Sequence, residues 1–187
     1  MTGLKNKTAL ITGGTKGIGY AVAEAFLREG MNVVITGRNK AGTESAINNL
    51  RSIGENVQGV IADVRNLDDQ KHCVEQTIQT FGKLDVLIAN AGVGHFAPID
   101  ELSVKDWNEV IDTNLTGVFY SVKASLDQLK KNQGYIITIA SLAGTNFFAS
   151  GTAYNASKFG LVGFSQALML DLRRQGIKVS TVMPGSV

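Results

Sequence analysis

Three observations predict an α/β fold in which a doubly wound parallel sheet carries helices on both faces. Short runs rich in Val, Ile and Leu recur at 7–11, 31–36, 57–62, 84–89, 134–140 and 178–183. They are apolar at nearly every position, as strands covered on both faces must be. Between them lie amphipathic stretches at about 17–29, 40–53, 67–81, 101–131 (two helices) and 153–175. That β-α-β-α rhythm predicts parallel strands joined by right-handed crossovers. The third observation is a glycine-rich turn directly after the first run. No repeat, low-complexity segment or linker interrupts the pattern, and Pro98 and Pro184 fall between elements.

The turn reads Thr12-Gly13-Gly14-Thr15-Lys16-Gly17-Ile18-Gly19, between Thr8-Ala9-Leu10-Ile11 and a helical run from Tyr20 to Arg28. Glycines let the chain reverse tightly and bring bare backbone close to a ligand. The helix N-terminus that follows offers unpaired N–H groups, which favour an anion such as a pyrophosphate. The spacing, G-x-x-x-G-x-G, is neither the G-x-G-x-x-G of the dinucleotide fingerprint nor a P-loop. Alone, such a turn is weak evidence, and a plain structural turn is the alternative reading. In open sheets of this kind, however, ligands bind beyond the carboxyl ends of the strands, where strand order reverses. The residues following the later strands are Thr36-Gly37-Arg38-Asn39, Asp63-Val64, Asn90-Ala91-Gly92, Ser141 and Pro184-Gly185. Each is a polar or backbone-permissive segment placed after an apolar run.

Composition narrows the class. At 187 residues and 44% hydrophobic content the chain can bury one sizeable core, so one domain spanning 1–187 is expected. Basic residues occur in ones and twos, as at Lys130-Lys131 and Arg173-Arg174, and form no stripe for nucleic acid. Met1 is followed by polar residues, and no apolar run approaches the roughly 18 residues of a membrane helix. A lone cysteine, Cys73, excludes an internal disulfide and is read as packing; a cytoplasmic protein is expected. His72 and His95 lack supporting ligands nearby in sequence, so no metal is expected.

The end of the second strand bears on the cofactor. An acidic residue there accepts hydrogen bonds from the ribose 2′-hydroxyl of NAD, whereas arginine accommodates the 2′-phosphate of NADP. Gly37 leaves the acidic position empty, Arg38 follows at once, and Lys16 can add a second positive charge. NADP(H) is therefore the expected cofactor, and Gly37→Asp with Arg38→Leu is expected to reverse the preference. The chemistry falls in the second half. Tyr154 and Lys158 are four apart on a helix and share one face. A nearby ammonium favours the phenolate form of a phenol, which suits it to acid–base work. Ser141 leaves the fifth strand at the same end of the sheet, although a Tyr-Lys pair taken by itself is better read as a solvated helix surface.

Together these segments resemble the short-chain dehydrogenase/reductase superfamily, classical type, and its 3-oxoacyl-ACP reductase-like members. The match runs in order through Thr12 to Gly19, Asp63-Val64, Asn90-Ala91-Gly92, Asn114 in Asp-Thr-Asn-Leu-Thr-Gly, Ser141, Tyr154-Asn-Ala-Ser-Lys158 and Pro184-Gly185. The resemblance implies a Rossmann-type domain that moves hydride between a nicotinamide nucleotide and a carbonyl or alcohol. It implies Tyr154 as the proton donor or acceptor and Ser141 as the group polarising the carbonyl. Lys158 is implied at the nicotinamide ribose and Asn114 at a water in a proton relay. Gly13, Thr15, Lys16, Gly17, Ile18, Gly19, Arg38, Asp63 (at the adenine), Val64, Asn90, Ala91, Gly92, Tyr154, Lys158, Pro184 and Gly185 are implied at the nucleotide. The family's substrate loop, further helix and final strand beyond the Pro-Gly motif are absent from these 187 residues.

The expected function is NADPH-dependent reduction of a ketone, with a 3-oxoacyl thioester among the substrates. Phe96, Phe147 and Phe148 are expected near a partly apolar substrate entrance. The rival is a non-catalytic NADP-binding or sensing protein, or an inactive truncated reductase; retention of Tyr154 and Lys158 argues against it. A homodimer or homotetramer is expected from apolar residues around 115–129 and 159–170, Phe164 and Leu168 among them. The small residues Ala156, Gly160, Gly163 and Ala167 are expected to face the sheet.

Overall fold

A computed structural model describes residues 3–185. Strand β1 (Thr8–Ile11) leads through the glycine turn into α1 (Gly17–Arg28). The alternation continues through β2 (Asn32–Gly37), α2 (Lys40–Arg51), β3 (Val57–Ile61), α3 (Leu67–Phe81) and β4 (Val86–Ala89). The second half holds α4 (Val104–Ile111), α5 (Gly117–Asn132), β5 (Tyr135–Ile139), α6 (Thr152–Leu172) and β6 (Lys178–Val182). The six strands form one parallel sheet in the order β3-β2-β1-β4-β5-β6. Chain direction across the sheet therefore reverses between β1 and β4, where such folds open a ligand crevice.

Alternation along the strands divides the core in two. Leu10, Val34, Leu87 and Ile136 pack with Cys73 of α3, Val118 and Val122 of α5 and Leu161 of α6. Ala9, Ile11, Val33, Ile35 and Ile88 pack with Ala23 and Leu27 of α1 and with Ile47 and Leu50 of α2. Both layers are aliphatic, and each fully buried side chain of this kind contributes about 1.5–3 kcal/mol. No helix among the described residues is long and apolar enough to cross a membrane.

Element boundaries follow the apolar pattern closely, with three differences. Helices α4 and α5 are not separate but run on through a π-helical turn at Asp112–Thr116. The last helix ends at Leu172 and tightens into one 3₁₀ turn, closed by Gly176 in the left-handed region at φ 74°. The stripe of small residues does not face the sheet. Ala156, Gly163 and Ala167 are exposed, no atom lies within 4 Å of a Cβ placed on Gly163, and Leu161, Ser165 and Leu172 are buried instead. The oligomer residues divide likewise: Phe164 and Leu168 pack on the core, whereas Phe119, Phe159, Met169 and Leu170 remain exposed.

At the sheet end remote from the crevice, the chain is tied by a buried carboxylate. Asp85 accepts from the Thr8 main-chain N–H at 2.9 Å and from Lys7 Nζ at 3.0 Å, joining the starts of β4 and β1. Removing the acceptor leaves a buried N–H unsatisfied, which costs about 1–3 kcal/mol. Asp85→Ala should therefore lower unfolding free energy by that amount in urea titrations, with ligand binding at the opposite end unchanged. A loss below about 0.5 kcal/mol would mean that water replaces the carboxylate.

Candidate active site

The crevice is built where the loops after β1 and β4 meet. Gly13 adopts φ 64°, and a Cβ there would stand 2.9 Å from Ala91 Cα, so only glycine fits. Asn90 stitches the two loops: its Nδ2 donates to the carbonyls of Thr12 at 2.9 Å and Gly13 at 3.0 Å. Thr12 Oγ1 in turn accepts from the main-chain N–H groups of Asn90 and Ala91 at 3.0 and 3.1 Å. Gly19 lets α1 close onto this stitch, since a Cβ there would come within 2.7 Å of the Gly13 carbonyl oxygen. The N-terminus of α1 carries no side-chain cap and no acidic residue in its first turn, leaving its N–H groups for a ligand. By contrast Asn39 caps α2 and Asn66 caps α3.

One end of the crevice is charged. Arg38 follows β2, and its Nη1 lies 3.5 Å from Glu109 Oε1 of α4. Asp63 follows β3 and is gripped by Arg65, whose Nη2 donates to Oδ2 at 2.6 Å and whose Nε donates to Oδ1 at 3.0 Å. That hydrogen bonding, with the charges of Arg65 and Arg38, holds the Asp63 carboxyl below the usual carboxylate range against a raising effect of burial. Arg65 escaped the sequence reading because it lies just past the Asp63-Val64 motif. At Gly37 the acidic position is not merely empty but closed. A Cβ there would stand 2.5 Å from Thr15 Cγ2 and 2.7 Å from Thr43 Oγ1. The expected reversal through Gly37→Asp is thereby corrected: the aspartate cannot enter unless Thr15 gives way.

The other end gathers Ser141, Tyr154 and Lys158. Ser141 Oγ accepts from Ala143 N–H at 3.1 Å, capping the 3₁₀ turn Leu142–Gly144 and leaving its own hydrogen to donate. Tyr154 is half-buried, and its hydroxyl has no hydrogen-bond partner among the described residues. Its ring meets Phe96 edge-on at 5.5 Å, and Phe96 meets Phe148 at 5.8 Å. Phe147 instead points outward, 87% exposed. Lys158 Nζ lies 5.7 Å from the Tyr154 ring centroid and donates to the Ile139 carbonyl at 2.9 Å. Asn114, in the π-helical turn, accepts from Val93 N–H at 2.8 Å and donates to the Val93 carbonyl at 2.8 Å and to Ser157 Oγ at 3.0 Å. Its side chain is thus committed to protein groups, clasping the loop after β4 to α6. A second clasp, invisible in sequence, is buried Asn155, which donates to the carbonyls of Ala143 and Asn146, each at 2.8 Å.

One crevice of about 860 Å³ gathers nearly every candidate residue, from Gly13, Thr15, Lys16, Gly17 and Ile18 through Arg38, Asp63, Val64, Asn90, Ala91 and Gly92 to Ser141, Tyr154, Lys158, Pro184 and Gly185. Gly19 and Asn114 stand behind its wall. Thr113 was missed: it lines the crevice, and its buried Oγ1 has no protein partner. The isolation expected of His95 is corrected as well, because α4 brings Asp106 and Glu109 to it, all three donor sets within 4.8 Å. His95 Nε2 lies 3.0 Å from Glu109 Oε2, and Nδ1 lies 3.9 Å from Asp106 Oδ1, one nitrogen facing each acid.

Residues 7–187 match the family model for short chain dehydrogenases. A candidate ketoacyl reductase of Streptomyces coelicolor is 37% identical over 185 residues, covering 97% of this chain and 71% of its own. An uncharacterized oxidoreductase of Staphylococcus aureus is 36% identical over 188 residues, covering 100% of this chain and 80% of its own. Among solved structures, a short chain dehydrogenase/reductase of Burkholderia phymatum in complex with NAD has a TM-score of 0.96 at 31% identity, covering 100% of this chain and 68% of the other. A variant of actinorhodin polyketide ketoreductase with NADPH has a TM-score of 0.94 at 36% identity, covering 100% and 73%. These two structures hold different nicotinamide nucleotides, so the choice between them rests on residues of this chain.

Lys158 is the group whose titration the site alters most. Only 4% exposed, it is pushed down by burial to about 8. An unfolded lysine titrates near about 10.4. Between these values the unfolded chain keeps a proton that the folded chain has released, so stability rises with pH across that window. The cost of burying the charge is present in full below about 8 and has gone above about 10.4. Urea unfolding from about pH 7.5 to about pH 9.5 should show the unaltered protein gaining on Lys158→Met, by at most about 1.4 kcal/mol per pH unit. A pH-independent difference would mean that Lys158 keeps an ordinary hold on its proton.

Proposed function

The chain belongs to the short-chain dehydrogenase family, and from that premise we propose that it is an NADPH-dependent reductase converting a ketone to an alcohol, reversibly. The observation that carries this reading is the unpartnered Tyr154 hydroxyl in the crevice beside the buried ammonium of Lys158. The residues fit a dinucleotide. Gly17 adopts φ 57°, and nothing lies within 4 Å of where its Cβ would stand, so bare backbone meets open crevice at the uncapped end of α1. The orphan Thr113 Oγ1 offers a further polar contact at the crevice wall. When bound there, the nucleotide supplies the hydride.

The chain's own residues do the rest. Ser141, with Oγ already accepting from Ala143, donates its hydrogen to the substrate oxygen and orients the carbonyl. Tyr154 gives its phenolic proton to that oxygen as negative charge develops, and a positioned acid of this kind is worth about 10²–10⁴-fold. Lys158, held at the Ile139 carbonyl, keeps a positive charge near the phenol and the ribose site. Asn114 holds Val93 and Ser157, so the wall around Tyr154 keeps its shape. Lys16 and Arg38 supply cations at the adenosine end, and the closed position at Gly37 admits no acid that would favour a 2′-hydroxyl.

For the substrate, the relatives that act on ketoacyl or polyketide groups support a 3-oxoacyl thioester, and Phe96 and Phe148 offer its chain an apolar wall. A cytoplasmic location belongs to the same proposal. The test is direct nucleotide titration followed by turnover of a short 3-oxoacyl thioester. NADPH should bind at least about tenfold more tightly than NADH, about 1.4 kcal/mol. Tyr154→Phe should abolish turnover with NADPH affinity held within about twofold, since only the acid is lost. Equal affinities would overturn the nucleotide assignment, and turnover retained in Tyr154→Phe would overturn the acid.

We also propose a homodimer or homotetramer joined through α5 and α6. Phe119, Phe159, Met169 and Leu170 leave apolar area on those helices that the core does not cover. Because Phe164 and Leu168 already pack within the chain, Phe159→Glu is the better probe. It should convert the assembly to monomer in light scattering without lowering thermal stability of the monomer, whereas a monomeric unaltered protein at tens of micromolar would exclude the assembly.

A further inference from the structure

Glu109 links Arg38, at one end of the crevice, to His95 on the loop after β4. It sits on α4, outside the crevice lining, in an adjoining groove with Arg65 and Asp112. Its two oxygens have separate partners: Oε1 faces Arg38 Nη1 at 3.5 Å, and Oε2 meets His95 Nε2 at 3.0 Å. Arg38 itself lines the crevice and extends from the end of β2. In the free protein, therefore, the guanidinium assigned above to the 2′-phosphate already has a carboxylate partner at the crevice rim.

We propose that Glu109 is a specificity-determining residue, which competes with the nucleotide's 2′-phosphate for Arg38 and so sets how strongly NADPH is preferred over NADH. This rests on the NADPH reading above. A neutral 2′-hydroxyl has little power to draw a guanidinium from a carboxylate, so NADH leaves the Arg38–Glu109 pair intact. A phosphate dianion can take it, because its charge is higher and its oxygens match the guanidinium fork. The exchange does not strand Glu109: its second oxygen keeps His95, which hydrogen bonding and charge already couple to it. Asp106, 3.9 Å from His95 Nδ1, holds the imidazole from the other side. Arg38 and Glu109 are both partly exposed, at 52% and 26%, so the competition is modest and screened by salt.

Dissociation constants of NADPH and NADH, measured by nucleotide fluorescence without substrate, test this in four proteins: unaltered, Glu109→Gln, Arg38→Leu and the double variant. Glu109→Gln should bind NADPH about 2–5-fold more tightly at low salt, the range expected of a partly exposed ion pair. NADH affinity should stay unchanged. The gain should shrink at about 0.5 M salt and largely vanish in the Arg38→Leu background. If Arg38→Leu weakens NADPH but Glu109→Gln leaves it unchanged or weaker, the NADPH reading stands and the competition is wrong. A gain that survives undiminished without Arg38 also overturns the competition, leaving only simple repulsion. If Arg38→Leu alters neither nucleotide, the NADPH reading falls and this inference falls with it.

Discussion

The structure depends on the contact between the loops that leave β1 and β4. Adjacent strands in a parallel sheet end side by side, yet here their loops turn to opposite faces, and a crevice opens only if the backbones approach first. Gly13 makes that approach possible by having no Cβ to strike Ala91. Asn90 then closes it with two bonds from one amide, and Thr12 answers with one hydroxyl accepting two N–H groups. Four main-chain polar groups that would otherwise stand unpaired at a strand end are satisfied by two side chains. The N–H groups at the start of α1 are left out of this arrangement. They gain a partner only from something that enters the crevice.

A second clasp carries that rigidity to the end of the crevice that holds Tyr154. Asn114 hangs from a π-helical turn, where one extra residue interrupts the regular helix, as often happens at functional sites. Its amide ties Val93 to Ser157, and therefore the β4 loop to the helix bearing Tyr154 and Lys158. Glu109, just before that turn, contacts Arg38 and His95. One helical passage thus touches Arg38, the β4 loop and the helix bearing Tyr154 and Lys158.

The fold was legible because the strands are buried on both faces. Runs such as Val33-Val34-Ile35 cannot be mistaken for half-exposed strands, and the intervening helices announce themselves by their period. Most site residues were legible for a related reason: each follows a strand end, where this architecture gathers chemistry. What could not be read depended on contacts distant in sequence. Nothing near Gly37 reveals that Thr15 and Thr43 fill the space a side chain would need. Nothing near His95 reveals Asp106 and Glu109. The stripe from Ala156 to Ala167 misled because small residues mark close approach without saying to what, and the larger Leu161 and Leu172 take the sheet side.

The site also carries costs that the rest of the fold must offset. A buried ammonium with one carbonyl acceptor, a threonine hydroxyl without a partner and an uncapped helix start are each unfavourable in the free protein. All three border the same crevice. At the opposite end of the sheet, by contrast, Asp85 is fully engaged by Thr8, Lys7 and Lys83, and the aliphatic layers are closed. Of the two buried hydroxyls without a partner among the described residues, Thr113 borders the crevice and Ser125 of α5 does not. The crevice therefore gathers much of the unmet hydrogen-bonding capacity without holding all of it. Binding recovers what folding leaves unsatisfied, so affinity for the ligand and local instability of the empty crevice have one physical source.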